Sequence, residues 1–265
     1  MTGRLAAVIL LAGGLFPAAA LADPVDCAAP PALTAIARSL DRSAERIETG
    51  KPLLIVAVGS SSTAGTGATA SEASYPSRLQ AELRRRLPGV DLTVLNRGKG
   101  GEDAGEELAR LDRDVVAAHP DLVIWQIGTN AVLRRDDLAA DAELMQRGVE
   151  MLKRDGIDVV LMDLQFAPRV LNRPAYPAME QLIADTAEHD SVGLFHRFEV
   201  MRFWQTAGRF AGGMTGADGL HMNDASYGCL AASLADGLAA NWAAHAKARP
   251  RAPQSPDAVA GLTSR

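Results

Sequence analysis

Three short stretches of this chain carry residue types suited to nucleophilic chemistry. The apolar run over residues 53–58 ends in Gly59, followed by Ser60, Ser61, Ser62 and Thr63. Asn130 closes a Gly-Thr-Asn triplet behind a second apolar run, "DLVIWQIG". Asp218 and His221 bracket two residues in "DGLH". A serine hydroxyl is a poor nucleophile near neutral pH, so a neighbouring base must take its proton as it attacks. Histidine suits that role because its unperturbed pKa, about 6.5, lies near the working pH. A carboxylate beside the imidazole fixes its tautomer and stabilises the cation that forms. An asparagine amide, or a backbone N–H at a glycine, can hold the negative charge that develops on an attacked carbonyl oxygen. Together these groups spell acyl transfer.

The hydroxyl cluster has competing readings. A phosphate-cradling P-loop ends in Gly-Lys-Ser/Thr, and this turn contains no lysine. Gly65-Thr66-Gly67-Ala68-Thr69-Ala70 fits a dinucleotide G-x-G-x-x-A pattern, but it starts several residues past the strand and no acid follows the second strand at Asn96. Turn hydrogen bonds and a helix cap remain the ordinary duties of Ser60, Ser62 and Thr63.

The elements that must position these residues follow from hydrophobic patterning. Strands are expected over 53–58, 92–95, 121–128, 158–162 and 192–195. Helical spacing covers 76–87, 102–119, 137–154, 176–189 and 223–245. Such alternation implies a five-stranded parallel sheet between two helical layers, a three-layer α/β/α sandwich. Ligands of a doubly wound sheet bind beyond the carboxyl ends of its strands. Ser61, "NRGKGGED" after the second strand, Asn130 and "DGLH" all converge on that edge.

At this point the chain resembles the SGNH, or GDSL-like, hydrolase superfamily, from about Leu53 to the end of the last helix. The blocks occur in the family's order. The resemblance implies a flavodoxin-like fold in which Ser61 is the nucleophile, His221 the base and Asp218 its partner. It implies an oxyanion hole made by the N–H groups of Ser61 and Gly101 and the amide of Asn130, with Gly98 or Gly100 as slipped alternatives to Gly101. Ser60 and Ala131 stand where the family usually has aspartates. The function implied is hydrolysis of carboxylic esters, short-chain acyl or O-acetyl, without a cofactor. An O-acyltransferase would use the same site, and a non-catalytic carbohydrate-binding protein would keep the fold with Ser61 unreactive.

The remaining sequence sets the context. The chain has 265 residues, 48% hydrophobic and 22% charged, enough for one large domain, expected over 23–246. A net charge of -5 offers no basic footprint for nucleic acid. Residues 1–22, with one arginine, an apolar run and Ala20-Leu21-Ala22, have the layout of a secretory signal cleaved after Ala22. Export would place the protein in the periplasm or outside the cell, with no membrane insertion after cleavage. In an oxidising compartment the only two cysteines, Cys27 and Cys229, are expected to pair. The tail over 247–265 is rich in Pro, Ser and Ala and is expected to be disordered.

His119, His189, His196 and His245 share no ligand spacing; they read as surface or capping residues, and no metal is implied. Arg97 and Lys99 read as solvated loop charges, with contact to an acidic substrate as the alternative. Trp125 belongs to the core, whereas Phe203 and Trp204 fit either a groove or packing. Residues 163–176, "DLQFAPRVLNRPAY", form the largest candidate specificity loop.

Overall fold

The computed structural model describes residues 26–135 and 137–248. Helices α1 (Pro31–Thr34) and α2 (Asp41–Glu48) lead into β1 (Leu53–Gly59). Helices α3 (Ser61–Ala64) and α4 (Tyr75–Arg86) connect β1 to β2 (Leu92–Gly98), and α5 (Ala104–Asp114) leads to β3 (Leu122–Gln126). Next come α6 (Thr129–Arg134), α7 (Leu138–Arg154) and β4 (Asp158–Met162). Helices α8 (Pro168–Leu171) and α9 (Tyr176–His189) precede β5 (Gly193–Phe195). Then follow α10 (Arg197–Thr206) and α11 (Asp224–Ala248).

All strand pairings are parallel, in the order β2-β1-β3-β4-β5. The expected α/β sandwich with a five-stranded parallel sheet is the observed one. Alternate side chains of the central strands feed two cores. Ile55, Ala57, Ile124 and Val160 pack with Leu79 and Leu83 of α4 and Leu230 and Leu234 of α11. Val56, Val58, Val123 and Leu161 pack with Leu111 of α5, Val149 of α7 and Ile183 of α9. That two-sided burial is why the strands read as unbroken apolar runs. Trp125 is buried as expected, and its indole N–H donates to Glu107 Oε2 at 2.7 Å. Burial pushes the Glu107 carboxyl well above the usual carboxylate range, and its bond to Trp125 docks α5 on the sheet.

Several boundaries differ from expectation for local reasons. β2 runs three residues past 95 because Asn96–Gly98 stay in register with Ala57–Gly59. The helix expected over 102–119 begins only at Ala104, where Asp103 and Glu106 form a reciprocal capping box. It ends at Asp114 and is followed by a separate 3-10 turn, Val116–Ala118. Helix α10 was not apparent in the sequence pattern. The final helix continues to Ala248, two residues past the expected domain end. The expected leader, and the tail beyond residue 248, lie outside the described residues. Among the described residues no helix is long and apolar enough to cross a membrane.

Cys27 and Cys229 form a disulfide across 202 residues of sequence. It ties the lead-in to α11, with Cys229 fully buried. Beside it, Trp204 is also fully buried and donates to Cys27 O at 3.2 Å, so this ring is packing. A disulfide closing so long a loop removes much unfolded-state entropy, and its loss typically costs about 2–5 kcal/mol. The double variant Cys27→Ala/Cys229→Ala is expected to lower the urea midpoint accordingly. An unchanged midpoint would show that the bond adds no stability.

Candidate active site

The order of strands reverses between β1 and β3, the place where a doubly wound sheet binds its ligand, and residues just past the ends of both strands meet there. Ser61 begins α3 directly behind β1, and Asn130 lies in the first turn of α6 behind β3. Two glycines in register, Gly59 and Gly98, allow α3 to sit on the strand ends. A Cβ on Gly59 would lie 2.5 Å from Thr63 Oγ1, and one on Gly98 would lie 2.1 Å from Ala64 N. No larger residue fits at either place.

His221 arrives from the other end of the chain. Its Nε2 stands 2.9 Å from Ser61 Oγ, and its Nδ1 stands 2.5 Å from Asp218 Oδ2. Asp218 Oδ1 also accepts the backbone N–H groups of Leu220 and His221, both at 3.0 Å. Partial burial pushes the Asp218 carboxyl up, but these hydrogen bonds and the His221 side chain outweigh it and hold the group down to about 2. It is therefore a carboxylate throughout the working pH range. Ser61 and His221 are half-buried, whereas Asp218 is exposed.

The other expected donors lie in the first turn of α6 and in the loop between β2 and α5. Asn130 Nδ2 donates to Glu102 O at 2.7 Å, which uses one of its two amide hydrogens. Of the three glycines considered, Gly98 is unsuitable because its N–H donates to Asn96 Oδ1 at 2.8 Å. A Cβ on Gly100 would stand 3.9 Å from the Ser61 Cβ, whereas one on Gly101 would face open space. Gly101 has a left-handed φ of 85°. Its carbonyl accepts from Arg134, which also bridges Asp103 and Glu106 at the start of α5.

Sequence reasoning missed the buried polar residues behind these groups. Gln126 Oε1 accepts the Ser60 N–H at 3.1 Å, the Ser60 hydroxyl at 3.2 Å and the Thr63 hydroxyl at 3.3 Å. Ser62 donates to Gln165 Oε1 at 3.3 Å. Each serine of the triplet thus has its own partner, and only Ser61 faces a base. Arg110 reaches Glu102 Oε2 at 2.6 Å and Gly59 O at 3.3 Å, tying the loop after β2 to the end of β1. Nothing in their spacing marks these residues, because each acts through a partner distant in sequence.

Other expectations resolve here. Gly65 caps α3 and lies close to Ser74, whereas a Cβ on Gly67 would strike Met222 O at 2.5 Å, so Gly67 lets the chain pass close to the histidine turn. Lys99 pairs with Glu102 at 3.0 Å; Arg97 lies on β2 rather than in a loop and donates to Asp114 O at 3.1 Å, so both cations have protein partners. His119 is exposed, while His189 and His196 flank helix ends. His245 is mostly buried against Asp41 and Glu48, unlike a free surface residue. Residues 163–176 are anchored rather than loose: Phe166 and Tyr176 pack on the Phe198 ring at 5.2 and 5.4 Å. Arg169 N–H also donates to Gly219 O at 3.0 Å, joining this segment to the histidine turn.

A model of the Non-GDSL lipase-like family matches residues 26–244. The chain belongs to that family. This Non-GDSL lipase-like protein is 31% identical over 128 residues to an arylesterase of Vibrio mimicus, a match covering 48% of this chain and 62% of that one. It is 33% identical over 129 residues to a tetraacyldisaccharide 4'-kinase of Xanthomonas campestris, covering 47% of this chain and 34% of the other. The matches thus span less than two thirds of either relative. Among solved structures, a two-domain esterase active on acetylated mannans superposes with a TM-score of 0.66 at 23% identity. That match covers 79% of this chain and 56% of the esterase, and at this identity it speaks for the fold alone.

The carboxyl edge continues past the triad into a second cluster. Asp163 Oδ2 lies 3.5 Å from His196 Nδ1, and Leu164 N–H donates to Glu180 Oε1 at 3.0 Å. Burial first, then the Asp163 charge, pushes the Glu180 carboxyl up to about 9. A folded-state value above the ordinary 4.5 means that its stabilising contribution is complete below 4.5 and is lost as pH rises towards 9. Glu180→Gln is neutral at every pH and keeps the acceptor. Between about pH 6 and pH 8 the wild type is expected to lose more thermal stability than Glu180→Gln. Parallel losses in both proteins would assign the pH dependence to another group.

Proposed function

We propose that this protein is an exported carboxylic-ester hydrolase that works through an acyl-enzyme on Ser61. The observation that carries this reading is the 2.9 Å contact between Ser61 Oγ and His221 Nε2, with Asp218 behind the ring. His221 takes the Ser61 proton as the oxygen attacks the ester carbonyl. The resulting oxyanion is held by the N–H groups of Ser61 and Gly101 and by the second amide hydrogen of Asn130. Collapse breaks the C–O bond, and His221 returns the proton to the departing alcohol. Water, deprotonated in turn by His221, then attacks the acyl-enzyme. This releases the acid and restores the Ser61 hydroxyl. Asp218 stays ionised and fixes the tautomer in which Nδ1 carries hydrogen.

Short acyl and O-acetyl esters are the substrate class this reading favours. The arylesterase relative and the acetylated-mannan esterase of like fold both act on esters, as their names state. The half-exposed Ser61 suits an acyl group presented on a bulky carrier. Export is supported by the secretory layout of residues 1–22 and by the Cys27–Cys229 disulfide, which suits an oxidising compartment.

An organofluorophosphonate is expected to label Ser61, and Ser61→Ala is expected to abolish p-nitrophenyl acetate hydrolysis. Full activity in that variant would reject the mechanism. Asn130→Ala removes one oxyanion donor and is expected to lower kcat by about 100- to 1000-fold with little change in KM. A loss confined to KM would instead assign Asn130 to substrate binding.

A further inference from the structure

We infer that Gln165 is a positioning residue whose single buried side chain aligns three segments of the active site. The inference rests on the nucleophile reading of Ser61. Gln165 lies just past the end of β4 and is 1% exposed, so it does not meet substrate. Its Oε1 accepts the Thr129 hydroxyl at 3.1 Å and the Ser62 hydroxyl at 3.3 Å. Its Nε2 points to Leu220 O at a longer 3.5 Å. Each partner is the chain neighbour of a site residue: Ser62 follows Ser61, Thr129 precedes Asn130, and Leu220 precedes His221. All three partners are buried, so water does not readily replace the bonds.

Among the described residues, no other side chain hydrogen-bonds to all three of these segments. β1 and β3 pair only as far as Val58 and Trp125, short of Ser61 and Asn130. The histidine turn belongs to no strand of the sheet, and Thr215 meets Met222 in an isolated bridge. One amide therefore supplies a shared reference for nucleophile, oxyanion donor and base. Its oxygen takes two hydroxyl protons while its nitrogen faces a carbonyl, an arrangement that suits an amide better than a carboxylate or an apolar group. Gln126 fixes the same turn from the β3 side, but its contacts to Ser60 and Thr63 do not reach the histidine turn.

A displacement of about 1 Å between reacting groups can cost up to roughly 100-fold in rate without weakening substrate binding. Gln165→Met keeps length and approximate volume and removes the three polar contacts. In purified, folded Gln165→Met, assayed well below its melting temperature, kcat for p-nitrophenyl acetate is expected to fall at least about tenfold, with KM within about twofold. The rate of fluorophosphonate labelling at Ser61 should fall in parallel. Thr129→Val should lower kcat in the wild type but add little in the Gln165→Met background, since both remove the same contact. A purely structural role would lower the melting temperature and leave kcat and labelling near wild type, and that result overturns the inference. So does a loss seen only in KM. Should Gln165→Met fail to fold, the double variant Ser62→Ala/Thr129→Val carries the test: a severalfold fall in kcat supports the inference and an unchanged kcat overturns it. Wild-type labelling at Ser61 is the control, because its absence would reject the nucleophile reading itself.

Discussion

A hydroxyl and an imidazole must meet here across 160 residues of sequence, at 2.9 Å, and no covalent neighbour brings them together. The rest of the site is organised by that requirement. The order of strands reverses between β1 and β3, and α3 begins at the carboxyl end of β1 beside that reversal. Gly59 and Gly98 make room by letting backbone approach where side chains would collide. Long α11 then anchors the histidine turn: Asn223 Oδ1 accepts the Ser226 N–H at 3.0 Å and Asn223 Nδ2 donates to Gly213 O at 2.9 Å. Tyr227, one turn into that helix, donates to Thr66 O at 2.7 Å and so ties α11 to the segment behind Ser61.

The fold was legible because parallel strands buried on both faces must be apolar throughout, and the helices between them keep their own period. Leu122–Gln126 and Tyr176–His189 are such elements. Ser61, His221 and Asp218 stood out as candidates because acyl transfer restricts the residue types that can serve, and the structure brings these three side chains into contact. What remained hidden acts through tertiary partners. Gln126 and Gln165 carry no spacing signal, since their partners lie on other elements and an isolated glutamine is ordinary surface composition. Helix α10 was obscured because Arg197 sits fully buried on its inner face, donating to Asp163 O, where a sequence pattern would call for an apolar residue. The extension of β2 was hidden by Asn96 and Arg97, which are polar because an edge strand is half solvated.

The two departures from the usual block sequences have local structural counterparts. Ser60 is 3% exposed, and its N–H and hydroxyl both end on the Gln126 amide oxygen. An aspartate side chain at that place would face this same oxygen, acceptor against acceptor, so serine and glutamine belong together. Ala131 is 1% exposed and lies in the apolar core beneath α6. A carboxylate there would need a partner, and burial without one costs several kcal/mol. The serine turn is supported here by a neutral amide, and the Ala131 position by apolar contacts.

Asp218 has 43% of its side chain exposed, so water screens its charge and weakens its pull on an imidazolium. Its value to the site must then be largely geometric. The three-residue spacing of "DGLH" makes this possible, since one carboxylate accepts the N–H groups of Leu220 and His221 as well as the ring Nδ1–H. Acid and base are thus two parts of one hydrogen-bonded turn, with the relative orientation set by local backbone rather than by burial. A more distant acid would need a packed core to hold it. Here the core is needed only to place the whole turn against Ser61, and the buried amide of Gln165 reaches the Leu220 carbonyl inside that turn.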